Sequence, residues 1–298
     1  MNKSAFFLIL LSVFLHAGWN FLSKANRPSK AFFMLANLTI ALLSLPFVFL
    51  VPVQWSELPR QFWMLLAGSV FFEVLYAMGL AGAYKKQDIS EAYPLARALP
   101  VLMVAVVTLI FGLGKVPAVL AWIGFTVVAA GCVILPQNSL GNIKWREFIR
   151  SVSSPILLAA LGTTGYTVLD KIASAELKLH TSGGEISALG VYLFLMEAGV
   201  ALSLFVLLMF SGREKVELFR KNWCSPAPYL CGLFSGAAYF LVLIAMGLVD
   251  NVSFLQVFRQ MSLPVGVMLG VVFLHEKLTL PKIIGTLLIV AGLGLTVF

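Results

Sequence analysis

Charge is scarce in this 298-residue chain: Asp, Glu, Lys and Arg together make up 11%, against 60% apolar residues. A water-soluble domain ordinarily carries about 25% charged residues, so polar side chains are too few to cover an aqueous surface, and an ordinary soluble enzyme or binding module is excluded. Cysteine is scarce too. Cys132, Cys224 and Cys231 show neither CxxC nor Cys/His ligand spacing, and an odd count does not suggest a disulfide framework. There is no GxxxxGK[ST] loop, which removes nucleotide hydrolysis as an energy source. The three histidines and 13 acidic residues are dispersed and form no nucleophile constellation. No cofactor, no metal and no enzymatic activity are expected.

Long apolar runs are what the chain has in quantity. A spanning helix needs roughly 20 mainly apolar residues, and such stretches cover 4–23, 31–52, 61–84, 89–112, 118–135, 154–174, 188–211, 226–249, 251–274 and 280–298. The expected fold class is an all-α membrane protein with ten transmembrane helices. The first run follows Lys3 as a secretory signal would. It has no small-residue cleavage site and passes directly into Ser23-Lys24-Ala25-Asn26-Arg27-Pro28, so it reads as a span.

The formal charge of +8 does not call for nucleic acid, because the basic residues lie mainly in short loops. Setting aside Lys24, Arg97, Lys171 and Arg259 as intramembrane leaves 17 of the 21 Lys and Arg. Four (Lys3, Arg60, Lys115, Lys178) fall on the side of the N-terminus and 13 on the other, around Arg27, Lys85, Lys144, Arg213 and Lys277. The positive-inside rule puts the richer side in the cytoplasm of a multi-pass protein of the cell inner membrane, with both termini outside.

The chain also repeats itself. Gly18-Trp19-Asn20-Phe21-Leu22-Ser23-Lys24 matches Gly165-Tyr166-Thr167-Val168-Leu169-Asp170-Lys171; Ala77-Met78-Gly79-Leu80 matches Ala245-Met246-Gly247-Leu248; Arg97 answers Arg259; Gly124 and Gly131 answer Gly285 and Gly292. The matches occur in the same order in both halves. Five spans per half is an odd number, so the second half enters from the opposite face, as two inverted five-helix repeats. The expected organisation is a first repeat over 1–140, a cytoplasmic linker over 141–153 and a second repeat over 154–298.

Tyr93-Pro94-Leu95-Ala96-Arg97-Ala98-Leu99-Pro100, Phe273-Leu274-His275-Glu276-Lys277-Leu278-Thr279 and His16-Ala17-Gly18-Trp19-Asn20 resemble the drug/metabolite transporter superfamily, EamA type, over essentially the whole chain. The resemblance implies ten helices and transport of a metabolite or drug. The first half departs from the pattern at Gly114-Lys115-Val116, where a Gly-Glu-like turn would stand. One branch with a similar first helix is associated with phosphonate utilisation, which makes an organophosphonate or phosphate ester a candidate substrate.

An ionisable side chain within a span costs about 2.5 to 3.5 kcal/mol near its centre on translocon scales, so it ordinarily faces a cavity or a partner. His16, Trp19, Asn20, Ser23 and Lys24 share one helical face, and Thr163, Tyr166, Thr167, Asp170 and Lys171 repeat it. These polar faces are candidates for substrate binding through Trp19, Asn20, Lys24, Tyr166 and Lys171. They are equally candidates for helix–helix hydrogen bonding, and the lysines for snorkelling to headgroups. Arg97 and Arg259 lie about 12 Å inside their helices, where a guanidinium fork suits carboxylate or phosphate oxygens unless Glu73 or Glu197 neutralises it. Glu73 and Glu197 lack counterparts in the repeat and, with His16, are candidates for proton coupling; fixed counter-ion roles are the alternative.

The expectation is a secondary transporter that moves a small polar, anionic or zwitterionic metabolite by alternating access. Its partners are that substrate, the lipid bilayer and protons; nucleic acid is not among them, and the chain acts as a monomer or homodimer. A membrane-embedded lipid-modifying enzyme or a non-transporting membrane partner is the alternative. The 13-to-4 charge distribution predicts that reporters fused after Gln137 and Gly212 behave as cytoplasmic and one after Ser182 as external. Activity of an externally active reporter at Gly212 would overturn that topology.

Overall fold

The structure is a computed structural model that describes residues 3–110, 118–246 and 261–295. These form helices α1 (Lys3–Ala25), α2 (Lys30–Leu50), α3 (Arg60–Lys86), α4 (Ile89–Ile110), α5 (Val119–Ile134), α6 (Trp145–Ser151), α7 (Ser154–Leu179), α8 (Glu185–Met209), α9 (Gly212–Glu217), α10 (Pro226–Met246), α11 (Ser262–Phe273) and α12 (Leu280–Leu295). A turn of π-helix over Leu218–Asn222 continues α9. Among the described residues five helices, over 7–25, 30–50, 60–86, 154–179 and 185–209, are long and apolar enough to cross a membrane. Large apolar side chains such as Leu43, Phe71, Leu202 and Met268 point outward, which suits a lipid solvent and not water. The chain is an all-helical multi-pass membrane protein. The isolated bridge between Val53 and Thr181 is the only strand-like pairing among the described residues.

Local chemistry sets the helix limits. Ser29 caps α2 by accepting the amide of Phe32, Pro155 occupies the first turn of α7, and Gly183 and Gly184, both at positive φ, turn the chain into α8.

Helix pairing follows a pattern. α3 lies along α7, α1 along α10, α2 along α8 and α5 along α12. Exchanging α1, α2, α3 and α5 for α7, α8, α10 and α12 returns the same set of pairs. Glycines let the backbones meet at these crossings. A Cβ on Gly162 would lie 2.5 Å from the Tyr76 amide nitrogen, and Gly79 makes the reciprocal approach to Ala159. Between α5 and α12, a Cβ on Gly131 would stand 2.8 Å from the Gly285 carbonyl oxygen, and one on Gly292 2.7 Å from that of Gly124. The glycines matched in sequence thus share one antiparallel crossing, each meeting the other's partner: Gly131 meets Gly285, and Gly124 meets Gly292. Gly232 and Gly236 press α10 onto α2 at Ala36 and Ile40.

The loops expected to share the basic face do meet. Lys30 reaches Glu214 and Ser211, Asn222 reaches Ser29, Gln87 joins Ser151 and Ser153, and Lys282 reaches Asp88. On the opposite face, the segments around Val53 and Thr181 pair through Gln54 to His180 and Ser182 to Pro52. The larger core cluster, from Trp19 through Tyr84, Ile89 and Tyr93 to Leu263, lies toward the basic face. A smaller one, with Phe62, Leu177 and Tyr192 in α3, α7 and α8, lies toward the other.

Replacing Gly131 or Gly285 with Val should cost about 1–3 kcal/mol by overpacking against backbone and lower the melting temperature in detergent. Gly212→Ala, whose Cβ meets nothing within 4 Å, should leave it unchanged. Equal behaviour of the three variants would contradict the close crossing.

Candidate substrate site between α1, α3, α4 and α7

Burial changes along the helices. Nearest the basic face Tyr84, Ile89, Tyr93 and Leu95 are fully buried, whereas further in Glu73, Tyr76, Arg97 and Tyr166 retain part of their surface. These partly exposed polar side chains between α1, α3, α4 and α7 are the candidate lining of a substrate chamber.

Arg97 stands eight residues into α4, its Nε buried without an acceptor. Among the described residues no ion pair involves Arg97, Glu73 or Glu197, so neutralisation of the guanidinium by either glutamate is not what the structure contains. Tyr76, Tyr84 and Tyr166 lie in the neighbourhood of Arg97. Tyr76 and Tyr166 meet edge-on, with ring centroids 5.8 Å apart, and Glu73 lies near both. The candidate site thus brings together a guanidinium, a carboxyl group and aromatic rings.

The polar face of α1 divides in two. Its inner part faces the chamber: the His16 ring lies 6.4 Å from that of Tyr93 and accepts at Nδ1 the Trp19 indole N–H, at 3.2 Å, which puts the ring proton on Nε2. Its outer part is glue between helices. Asn20 accepts the Tyr84 hydroxyl at 2.7 Å, Ser23 contacts Cys231 at 3.3 Å, and the Lys24 ammonium donates to the carbonyls of Tyr84 and Gln87 at the end of α3. Lys24 therefore neither snorkels nor faces the chamber; it neutralises the negative end of a helix.

On α7, Tyr166 reaches the chamber, while Thr167 is exposed. Asp170, marginal in sequence because of its closeness to a helix end, accepts the hydroxyls of Ser69 and, at 2.6 Å, Tyr192. Glu197 on α8 is buried with Oε2 unpartnered. Glu73, Asp170 and Glu197 lie near one another, so that Asp170 and Glu197 form an acidic zone extending from Glu73. Among the described residues no group of three His, Cys, Asp or Glu side chains is placed to hold a metal ion. Arg259 and the Gly114-Lys115-Val116 turn lie outside the described residues, as does the side chain of Lys171. A separate apolar cleft between α2, α8 and α10, at Ser44, Phe47, Leu193 and Phe240, carries no charged group.

Sequence reasoning passed over Tyr76, Tyr84 and Tyr93. The spacing of Tyr76 and Tyr84 by eight residues, with Glu73 one turn earlier, was the available signal.

The family model of the EamA-like transporter family matches residues 153–298. That match, over the second half of the chain, supports the drug/metabolite transporter superfamily. The matched segment begins where α7 begins, and the transporter's remaining half precedes it. A solved crystal structure, described only as that of a protein, aligns over 99% of this chain and 96% of its own with a TM-score of 0.52 at 17% identity; that likeness shows the fold alone. No curated protein matches the transporter in sequence.

Proposed function

We propose that this membrane transporter is a secondary carrier of a small anionic or zwitterionic metabolite across the cell inner membrane. It works by alternating access of the chamber between α1, α3, α4 and α7. The observation that carries the reading is Arg97: a guanidinium with a buried, unpartnered Nε and no ion pair among the described residues, in a chamber walled by tyrosines. A desolvated charge of that kind is costly unless a ligand supplies the missing acceptor. Carboxylate, phosphate and phosphonate oxygens all match its fork, so a phosphonate or phosphate ester belongs to the class without being singled out. Glu73, free in the same chamber, would meet an ammonium group on a zwitterion or exchange a proton.

The helix exchange that returns the same pairs, together with the Gly124/Gly292 and Gly131/Gly285 contacts, supports two inverted five-helix units over 1–140 and 154–298 joined by a linker at 141–153. Arg259 and Lys171 are assigned to substrate binding on their sequence match to Arg97 and Lys24 alone. Trp19, Tyr166 and His16 form the chamber's aromatic edge, and Asn20 holds that edge through Tyr84 and the His16 carbonyl. Glu197, buried with one oxygen unpartnered, is suited to carry a proton, as is Glu73.

Counterflow of radiolabelled anionic and zwitterionic metabolites in proteoliposomes should be saturable. Arg97→Lys keeps the charge but loses the fork, so affinity should fall by about 1–3 kcal/mol; Arg97→Gln should weaken binding further, at wild-type expression and melting temperature. Stability lost together with yield, while the surviving protein binds normally, would make Arg97 structural and remove the anion site.

For coupling, Glu73→Gln or Glu197→Gln should abolish proton-driven accumulation and preserve exchange, because an amide keeps the shape but cannot carry the proton. pH-dependent accumulation that persists in both singles and in the double variant would take these residues out of the mechanism.

A further inference from the structure

The His275-Glu276-Lys277 segment plays no part in substrate binding as proposed, yet it makes a tight connection between the two halves. Glu276 is 9% exposed. Its Oε1 accepts the Ile89 amide at 2.7 Å and its Oε2 the Ser90 amide at 2.9 Å. These are the first two residues of α4, whose amides have no partner within the helix, and a carboxylate there is favoured by the helix dipole. An N-terminal cap normally comes from the residue just before the helix; here it comes from a loop that follows α11, in the other half of the chain.

The geometry around this cap is specific. His275 adopts a left-handed backbone, φ 55°, which turns the chain, and the Glu276 amide bonds back to the Gly270 carbonyl at 3.2 Å. Gly270 leaves room for the carboxylate: a Cβ there would lie 2.7 Å from Oε2 and 2.5 Å from the Ile89 side chain. From α12, Lys282 adds its ammonium, 2.9 Å from the Ser90 hydroxyl and 3.2 Å from the Asp88 carboxylate, and is itself 8% exposed. Deeper in, the hydroxyls of Tyr93 and Ser262 join α4 to α11 at 2.9 Å.

The geometry points to Glu276 and Lys282 as a latch that holds the start of α4 against α11 and α12 and keeps the Arg97 chamber closed to the basic face. This rests on the alternating-access reading above. For the chamber to open on that side α4 and α11 must part, leaving the Ile89 and Ser90 amides without acceptors and Lys282 without its partners. In sequence the first half has Gly114-Lys115-Val116 where the second has the acid, so the latch belongs to one face only. The resting carrier then faces the other side. Arg97 sits two turns along the helix that the latch holds, so a ligand pulling on Arg97 acts on the same element.

The test uses the full chain with Cys132, Cys224 and Cys231 replaced by Ala, carrying Ser262→Cys as a reporter that is fully buried behind the latch. A membrane-impermeant maleimide is applied to vesicles that present the basic face outward. Glu276→Ala, which removes both charge-assisted hydrogen bonds, should raise the labelling rate by about tenfold or more, and Glu276→Gln, which keeps one acceptor oxygen, should raise it less. A second reporter, Leu177→Cys in the opposite cluster, should not change. An unchanged rate at Ser262→Cys, or a parallel rise at both reporters, would overturn the latch. Should Glu276→Ala fail to yield monodisperse protein, Lys282→Met is read in the same way: a rise at Ser262→Cys alone supports the latch, and an unchanged rate overturns it. Labelling needs no substrate, so failed counterflow with an intact labelling response removes the transport reading, while normal counterflow with no labelling response removes only the latch.

Discussion

Backbone amides and carbonyls in hydrocarbon have no water to bond, so a bundle in lipid is stable only where helix ends find partners and helix crossings exclude gaps. Both requirements are visible here. The amides at the start of α4 are taken by Glu276, and the carbonyls at the end of α3 by Lys24. Gly79 and Gly162 let α3 and α7 touch, as Gly131 and Gly285 do for α5 and α12. Dispersion at such crossings replaces the hydrophobic drive that water would supply, since lipid tails are as apolar as the side chains they touch.

The same constraint explains where the chamber lies. Sealing at the basic face is dense, with Tyr84, Ile89, Ser90, Tyr93 and Ser262 almost without exposure. Beyond that seal, among the described residues, Arg97 and Glu73 form no ion pair, and Arg97 Nε and one Glu197 oxygen are unpartnered. In the function proposed, a ligand or proton that comes and goes offsets their cost.

Residues of one face of α1 serve opposite ends. His16 and Trp19 border the chamber, while Asn20, Ser23 and Lys24, within two turns, fasten α1 to α3 and α10. Substitutions along that single stripe would therefore mix effects on binding with effects on folding. The two are separable because the fastening bonds go to Tyr84, Cys231 and the α3 carbonyls, whereas His16 meets the Tyr93 ring and Trp19.

Apolar run length was enough to anticipate an all-helical membrane protein, and glycine spacing to anticipate close helix contacts at Gly124, Gly131, Gly285 and Gly292. These are one-dimensional properties: a span is long because the bilayer is thick, and a glycine recurs because two backbones approach there. Which polar residue faces the chamber and which faces a neighbouring helix was not decided at that level, because helical period gives the angle of a side chain and not the identity of what lies opposite. Lys24 and Arg97 are both cations within spans, yet one reaches the carbonyls that end α3 and the other reaches no anion among the described residues. Asp170 is held by Ser69 and Tyr192 from two other helices, and Glu276 caps a helix 187 residues earlier in the chain. Only the packing of distant segments creates those partners, and with them the difference between a structural charge and one left open for a ligand.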